Sequence, residues 1–280
     1  MIQDIAPHQF YNEFNRRPPE DQDFILFFER DQVKLEQQEG ILNIPRFGAL
    51  QPNHPELAEQ MVYLFAVDQT AFYLGPESFE DFPANYCDKS IRFMLQLKPG
   101  WMGFAAITGY HLYHWYHHHS YCGNCGEPMQ HHSQERALYC ADCDWIEYPT
   151  IAPVIMVGIT NGEQLLLTRY SRGAYRNYAL IAGFVEIGES LEAAVKREVW
   201  EEVGLKVGSL RYYKSQPWGV TQTILAGYFA ELDGSPEVRL DEAELAEAVW
   251  VHRDELPQND NNDNFSLTFD MIEAFRSGKI

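Results

Sequence analysis

Three carboxylates crowd together in the segment GFVEIGESLEAAVKREVWEEVGL at 183–205. Residues 189–203 lack proline and glycine and carry apolar side chains every three or four positions, which predicts an amphipathic helix. Glu198, Glu201 and Glu202, the acidic cluster, then share one face of that helix. Ionised carboxylates at this spacing repel one another, and a divalent cation such as Mg²⁺ relieves the repulsion while bridging to phosphate. The pattern is typical of metal-assisted phosphate chemistry, although a solvated acidic helix face has the same composition.

A second group of candidate ligands consists of four cysteines in two C-x2-C pairs. They are Cys122, Cys125, Cys140 and Cys143. Two such pairs place four thiolates at the corners of a tetrahedron, which suits Zn²⁺. Two disulfides are the alternative, but clustered pairs in a chain without a recognisable export signal favour metal. Because four protein ligands leave no open coordination position, we expect one structural zinc per chain, held by a zinc ribbon.

Other candidate metal ligands precede this ribbon. Five histidines lie close together in the sequence: His111, His114, His117, His118 and His119. Their spacings are compatible with a second metal site. An aromatic-rich amphipathic connector helix with an exposed histidine end explains them as well, and we favour that interpretation. Cys87 has no activating base nearby in the sequence and is expected to be a partly buried thiol.

The bulk composition limits the class of protein. The 280 residues are 45% hydrophobic and 14% aromatic, enough for packed cores in about two domains. A net charge of −20 disfavours proteins that coat nucleic acid or bind anionic membranes, because both need broad basic surfaces. No apolar run reaches the roughly 18 residues that span a bilayer, and the N-terminus lacks a signal-peptide pattern. We therefore expect a cytoplasmic protein.

Three segments organise the chain and predict an α+β protein. Residues 1–118 alternate short apolar runs with polar turns, which predicts a mixed or β-rich N-terminal domain ending in the connector helix. The zinc ribbon covers 119–149, and a further domain covers 150–280 with a last helix at 266–276. The strands of that domain are expected at 152–160, 164–170, 224–232 and 248–251. Its polar loops contain Arg172, Arg176 and an Asn/Asp-rich stretch at 258–264.

Residues 183–205 resemble the Nudix box, G-x5-E-x7-R-E-u-x-E-E-x-G-u, in which u is apolar. Every fixed position is filled, by Gly183, Glu189, Arg197, Glu198, Val199, Glu201, Glu202, Gly204 and Leu205. The resemblance implies an α/β/α sandwich with a mixed sheet that hydrolyses nucleoside diphosphates linked to another moiety. It also implies that Glu198 and Glu202 are the principal metal ligands and that Glu201 is a ligand or the base that activates water. Glu189 and Arg197 are implied as an ion pair that braces the loop and the helix.

A zinc ribbon before a Nudix domain, preceded by another domain, resembles the bacterial NADH pyrophosphatase family, whose members also remove NAD caps from RNA. This resemblance implies hydrolysis of NAD(H) to nicotinamide mononucleotide and AMP, catalytic Mg²⁺ or Mn²⁺, and a homodimer. In that family a Ser-Gln-Pro-Trp-Pro-Phe-Pro-x-Ser segment lines the dinucleotide pocket. Residues 215–218 match its first half, whereas 219–223 depart from the second half. The preference for the reduced nicotinamide is therefore left open.

Further site positions follow from the same resemblance. The implied substrate contacts are Phe184, Tyr148, Glu135, Gln216, Pro217, Trp218, Thr223 and Arg92. Phe184 resembles an aromatic residue that stacks on a base, with a core phenylalanine as the alternative. Glu244 matches an additional metal-binding glutamate, with Glu242 and Glu247 as competitors. Ala182 would offer its backbone carbonyl to a metal.

Two alternative functions stay open at this point. The departure at 219–223 is compatible with ADP-ribose or another nucleoside diphosphate derivative as the substrate. A Nudix-derived nucleotide sensor or a zinc-ribbon nucleic-acid module belongs to a different class. A sensor can dispense with catalytic glutamates and would add a DNA-reading element, whereas every carboxylate of the box is present here and the chain is acidic. We therefore favour the enzyme.

Overall fold

The computed structural model describes residues 1–171, 177–256 and 265–280 and divides into two compact units. The N-terminal unit contains Ile2–Thr150 together with Trp218–Gln222. The C-terminal unit contains Met1, Ile151–Pro217 and Thr223–Ile280. The predicted loop with Arg172 and Arg176 and the Asn/Asp-rich loop at 258–264 lie outside the described residues. No helix of the described part is long and apolar enough to cross a bilayer.

Short strands build two sheets in the part of the N-terminal unit that precedes the zinc ribbon. The strands are β1 Phe10–Tyr11, β2 Phe24–Leu26, β3 Phe28–Glu29, β4 Gln32–Gln38, β5 Ile41–Asn43, β6 Val62–Val67, β7 Thr70–Leu74 and β8 Tyr86–Ser90. One sheet has the order β1-β6-β7-β2, and the other has the order β3-β4-β5 with β8 also paired to β4. Phe72 stacks on both Phe24 and Phe65 in the core of the first sheet, with ring centroids 5.0 and 5.2 Å apart. The predicted mixed or β-rich character of the N-terminal region is confirmed.

Helices complete this part of the unit. They are α1 Phe47–Leu50, α2 Leu57–Gln60, a 3-10 helix at Ile91–Gln96 and α3 Gly100–His118. Only Gly100, His117 and His118 of α3 are exposed, because its apolar residues surround the helix instead of forming one stripe. The expected amphipathic character of the connector helix is therefore wrong, and its exposed histidine end is confirmed. Cys87 in β8 is half-buried and forms no disulfide, as expected.

The zinc ribbon contains a small antiparallel sheet. Its strands are β9 Gln130–His131, β10 Leu138–Cys140 and β11 Trp145–Glu147, in the order β11-β10-β9. Cys140 ends the central strand. The cysteines are thus presented by a short sheet and by the turns beside it.

A mixed sheet forms the centre of the C-terminal unit. Its strands are β12 Ala152–Asn161, β13 Gln164–Tyr170, β14 Ile181–Phe184, β15 Val207–Trp218, β16 Thr223–Leu232 and β17 Leu245–His252. The order is β15-β16-β12-β13-β17, and β14 pairs with β12. Strands β12 and β16 run parallel, whereas β12 is antiparallel to β13 and β14. The predicted strands are confirmed, and β15 was not predicted.

Two helices cover the two faces of this sheet. They are α4 Leu191–Val203 and α5 Leu267–Arg276, with a 3-10 helix at Arg253–Glu255 before α5. Ile155 and Val157 of β12 belong to the core that includes Val195 and Val199 of α4. Met156, which points to the opposite face, belongs to the core that includes residues of α5. This alternation confirms the expected α/β/α sandwich.

Candidate active site and zinc site

Both ends of α4, which carries the acidic cluster, are capped. The Ser190 Oγ atom accepts a hydrogen bond from the backbone N–H of Ala193 at 3.1 Å, which begins the helix. Gly204 ends the helix with φ +67°, a left-handed conformation that glycine adopts without steric cost. The caps thus define the length of α4 and the position of its carboxylates.

Arg197 connects the acidic cluster to the loop before α4. Its Nε and Nη2 atoms donate to the two carboxylate oxygens of Glu189 at 2.8 and 2.9 Å. Its Nη1 atom donates to Glu198 Oε1 at 2.7 Å and to Glu201 Oε2 at 3.0 Å. Nη2 also donates to the backbone carbonyl of Phe184 at 2.9 Å. One guanidinium therefore bridges three carboxylates and offsets part of their mutual repulsion.

The carboxylates of the acidic cluster differ in exposure. The side chains of Glu201 and Glu198 are 55% and 13% exposed, and Glu202 is only 4% exposed. Burial is the main cause that raises the pKa of Glu202 to about 8, and four neighbouring carboxylates add to it: Glu198, Glu244, Asp241 and Glu201. Burial also raises the pKa of Glu198, against the opposing hydrogen bond from Arg197. Without a cation, Glu202 therefore holds a proton at neutral pH.

The donor set of the acidic cluster fits a hard divalent cation. Mg²⁺ and Mn²⁺ prefer carboxylate oxygens, and their charge would offset the burial of Glu198 and Glu202. Within the described ranges, only the four cysteines bring three or more metal-ligand atoms within 4.8 Å of one another. Glu198 and Glu201 instead accept hydrogen bonds from Arg197. A cation would be held by Glu198 and Glu202 with Glu201, in competition with this guanidinium.

A loop that carries Asp241 and Glu244 is hydrogen-bonded to the C-terminal end of α4. The backbone N–H of Asp241 donates to the carbonyl of Glu202 at 2.9 Å. Asp241 Oδ1 accepts a hydrogen bond from the N–H of Ala243 at 2.9 Å, and the Asp241 carbonyl accepts one from the N–H of Glu244 at 3.1 Å. These bonds place the charge of Glu244 where it raises the pKa of both Glu198 and Glu202.

Glu244 is the best supported of the three candidates for the additional metal ligand. The neighbouring carboxylates that raise the pKa of Glu202 most include Glu244 but neither Glu242 nor Glu247. Glu247 instead lies 3.4 Å from the Arg169 guanidinium. Sequence reasoning missed Asp241, because it belongs to no motif. Its only signal was an acidic residue close to Glu244, which does not distinguish it from Glu242.

Strand β14 carries two predicted site residues. Phe184 is 56% exposed, so the alternative of a core phenylalanine is wrong. Ala182 is half-buried and pairs with Met156 of β12. Its backbone contact to a metal stays a prediction.

Two predicted substrate contacts are buried. Gln216 is 0% exposed, its Nε2 atom donates to the carbonyl of Phe265 at 2.5 Å, and its Oε1 atom accepts from the N–H of Leu267 at 2.7 Å. Thr223 is 2% exposed at the start of β16. Both side chains are enclosed and Gln216 holds the start of α5, so their direct contact with substrate stays a prediction that this structure does not support. Pro217 is exposed, and its role stays a prediction.

The segment that departs from the family pattern packs within the N-terminal unit. Trp218 is half-buried and precedes a 3-10 helix at Gly219–Thr221. A Cβ atom at Gly219 would overlap the backbone carbonyl of Ile107 in α3. Gln222 Nε2 donates to the Gly219 carbonyl at 3.2 Å. The close approach to α3 explains why glycine stands at this position.

Three further predicted substrate residues lie in the N-terminal unit. The Tyr148 hydroxyl donates to Glu135 Oε2 at 2.6 Å, and both residues are exposed. The structure thus brings these two positions together. Arg92 is exposed in the 3-10 helix Ile91–Gln96, and its backbone N–H donates to Ser90 Oγ at 3.4 Å. Its role as a phosphate contact stays a prediction.

The four cysteines of the ribbon converge as thiols. Their Sγ atoms lie within 4.8 Å of one another, with Cys122 to Cys143 at 4.0 Å and Cys125 to Cys140 at 3.5 Å. None of them forms a disulfide, so the disulfide alternative is wrong. Backbone N–H groups of Cys125 and Asn124 lower the pKa of Cys122 to about 7. Four sulfur donors in this arrangement fit the tetrahedral coordination of structural zinc.

Comparisons with known proteins agree with these two sites. Residues 149–271 match the Nudix domain, and residues 117–148 match the NADH pyrophosphatase zinc ribbon domain. Two relatives, both named NAD-capped RNA hydrolase NudC, come from Salmonella paratyphi C (strain RKS4594) and Citrobacter koseri (strain ATCC BAA-895 / CDC 4225-83 / SGSC4696). They are 46% and 45% identical to this chain over 133 residues.

Each of these two alignments covers 48% of this chain and 51% of the relative, so the chain spans about half the length of the curated relatives that it matches. Among solved structures, a Nudix hydrolase from Nitrosomonas europaea is 22% identical, with a TM-score of 0.49, and covers 57% of this chain and 92% of that chain. Residues 117–271 thus combine a match to the NADH pyrophosphatase zinc ribbon domain with a match to the Nudix domain that follows it.

Proposed function

We propose that this protein is a divalent-metal-dependent hydrolase that cleaves the pyrophosphate bond of NAD and NADH to give a nicotinamide mononucleotide and AMP. The observation that carries the proposal is the acidic cluster on α4, braced by Arg197 and joined by the charge of Glu244. Its donor set suits the cations that neutralise a diphosphate. The zinc ribbon of the NADH pyrophosphatase type supports the dinucleotide as the substrate.

The side chains of α4 have distinct proposed roles. Bound Mg²⁺ or Mn²⁺ would neutralise the diphosphate oxygens and make phosphorus more susceptible to attack. Glu198 and Glu202 would hold the cation, with support from Glu244. Glu201 is the most exposed carboxylate of the cluster, so it is the best placed to accept a proton from the attacking water. Arg197 would hold the loop before α4 against the helix through its hydrogen bonds to Glu189.

Exposed aromatic rings are the proposed contacts for the bases. Phe184 offers an exposed ring one residue beyond Gly183, and base stacking on such a ring tolerates either nicotinamide or adenine. Tyr148 and Glu135, which are hydrogen-bonded to each other, are proposed as a second contact. Trp218, Pro217 and Arg92 complete the proposed set.

RNA with a 5′-NAD cap is the proposed larger substrate, because two relatives are named NAD-capped RNA hydrolase. Cleavage of the same bond would release nicotinamide mononucleotide and leave a 5′-monophosphate on the RNA. ADP-ribose is a second candidate, favoured by the departure at 219–223, where Gly219 packs against α3 in place of the rigid aromatic wall of the family pattern. The hydrolysed bond is the same in all these substrates.

Three broader proposals accompany this function. We retain the division into an N-terminal domain at 1–118, a zinc ribbon at 119–149 and a Nudix domain at 150–280. The homodimer implied by the family resemblance is a proposal that analytical ultracentrifugation tests. The cytoplasmic location is supported by the thiol state of the ribbon cysteines, because the reducing cytosol keeps thiols free for zinc.

Turnover of NAD, NADH, ADP-ribose and a 5′-NAD oligonucleotide, each with Mg²⁺ or Mn²⁺, tests the proposal by chromatography of the products. The Glu202→Gln variant is expected to lose turnover, whereas Glu242→Gln, a change of an exposed glutamate in the same loop as Glu244, is expected to retain it. Products from ADP-ribose alone would support the second candidate. Tight binding of these nucleotides without turnover would identify a sensor and overturn the enzyme.

A further inference from the structure

A cavity of about 870 Å³ opens in the N-terminal unit, and its wall includes three histidines of α3. His114, His117 and His118 have the spacing i, i+3, i+4, which is the spacing of the acidic cluster on α4. Imidazoles at this spacing lie on one face of a helix. The ring centroid of His118 is 5.1 Å from that of His114 and 5.5 Å from that of His117. The three rings therefore form one compact group, the histidine cluster.

The pairing of His117 with Glu77 resembles the way in which proteins prepare a metal-binding imidazole. His117 Nδ1 lies 2.8 Å from Glu77 Oε1, and both residues line the cavity. A histidine that donates Nδ1–H to a carboxylate has its Nε2 lone pair available for a metal, and the carboxylate increases its basicity. The contact thus selects the tautomer that metal coordination needs.

His114 contributes an unexplained polar atom. Its Nδ1 atom is buried and has no hydrogen-bond partner among the described residues. An unpaired buried polar atom costs free energy, and a bound water or ion is a common explanation for one in a native structure. This observation is independent of the helical spacing.

The charge of the cavity favours a cation over a nucleotide. Its charged lining residues are Glu29, Asp31, Glu77, Glu80, Asp88, Arg30 and Lys34. Carboxylates thus outnumber cationic side chains five to two, and Lys34 is already paired with Asp88 at 2.7 Å. A site with this excess of negative charge attracts divalent cations and disfavours phosphate groups.

We infer that the histidine cluster binds a divalent transition-metal ion of the class of Zn²⁺, Ni²⁺ and Cu²⁺, for which imidazole is a preferred ligand. His114 and His118 form the chelating pair, since two histidines four residues apart on a helix bind one metal. His117 completes the set through Nε2 while it keeps its contact with Glu77, and the rings move closer together on binding, because they do not yet converge as closely as the four ribbon cysteines do. This site is separate from the cations of the proposed hydrolase.

Titration of the full chain with Ni²⁺, after its ribbon has been loaded with Zn²⁺, tests this inference by calorimetry. We expect one Ni²⁺ site per chain in addition to the retained zinc. His118→Ala should abolish the Ni²⁺ site, and Glu77→Gln should weaken it by about 10-fold, the lower limit for loss of a partner of a metal ligand. His118 is exposed, so its substitution leaves the core intact.

The matched control is His111→Gln. His111 lies one turn earlier on α3, but its Nε2 atom is hydrogen-bonded to the carbonyl of Thr150 at 3.0 Å. We expect this variant to bind Ni²⁺ as the wild type does. The inference is overturned if the wild type has no Ni²⁺ site, or if the site persists in His118→Ala with the same affinity. Unchanged affinity in Glu77→Gln would remove His117 from the ligand set.

Discussion

Gly183 and Glu198 approach each other so closely that a Cβ atom at Gly183 would overlap the carboxyl group of Glu198. Gly183 lies in β14, and Glu198 lies in α4. The Glu198 side chain thus packs directly against the backbone of β14 at Gly183. The first glycine of the Nudix box is therefore needed for this close approach, since its backbone has no left-handed φ to explain it.

Gly183→Ala is expected to displace the Glu198 carboxylate and to lower kcat by about 100-fold, the effect of a misplacement of about 1 Å at a catalytic group. Turnover of NAD at saturating Mn²⁺ measures this loss. Gly208→Ala is the control, because a Cβ atom there would lie 3.8 Å from Asp233 Cβ, an ordinary contact. Full activity of Gly183→Ala would show that Glu198 can move without consequence.

Arg197→Lys should lower both activity and stability. A lysine keeps the charge but cannot make the paired hydrogen bonds to Glu189 together with those to Glu198 and Glu201. We expect the free energy of unfolding to fall by about 2 kcal/mol, as for lost hydrogen bonds to charged groups, in a urea titration. Arg211→Lys, a change of an exposed arginine in β15, should leave it unchanged. Equal losses in both variants would contradict the bracing role.

Because Glu202 is buried, the free energy of unfolding should depend on pH in protein without added Mg²⁺ or Mn²⁺. The pKa of Glu202 is about 8 in the folded state, whereas its ordinary value is 4.5. Between these two pH values the folded state therefore binds a proton that the unfolded state has lost. Stability therefore falls as the pH rises through this interval, by at most about 1.4 kcal/mol per pH unit. Glu202→Gln cannot ionise and should lack this loss. Urea titrations at about pH 5 and about pH 8 measure the difference, and parallel changes in both proteins would refute it.

If the ribbon cysteines hold a structural zinc, the Tm of the protein should depend on that zinc. Cys125→Ser should reduce the zinc content and the Tm, because a structural site with one ligand removed no longer closes the turns around it. Cys87→Ser changes a thiol in β8 and should retain one zinc per chain. Metal analysis and thermal unfolding of the two variants provide the test. Equal zinc content would mean that Cys125 is not a ligand.

The elements with a regular pattern could be predicted from the sequence. Strands β12, β13, β16 and β17 are apolar runs bounded by turns, and the apolar residues of α4 recur every three or four positions. Strand β15 was missed because it lies at the edge of the sheet, where its side chains are mostly half-exposed or exposed. It therefore needs no apolar run, and Pro217 near its end also argued against a strand.

The candidate site could be predicted where its residues share one element. The spacing of Glu198, Glu201 and Glu202 on one helix required no knowledge of the fold. The contacts of Asp241 required the fold, because a loop about 40 residues later returns to the end of α4 through backbone hydrogen bonds. Spacing also did not indicate that Glu202 is buried while Glu201 is exposed, since burial depends on which side of α4 faces the sheet.

Gln216 matches a substrate-contacting position of the family pattern, yet its side chain is buried. Its amide satisfies the Phe265 carbonyl and the Leu267 N–H, which is buried at the start of α5. Gln216→Ala should therefore lower the free energy of unfolding by about 2 kcal/mol, since the buried Leu267 N–H and the half-buried Phe265 carbonyl each lose a hydrogen bond. The KM for NAD should stay that of the wild type. A raised KM with unchanged stability would restore Gln216 as a substrate contact and contradict its role in holding α5.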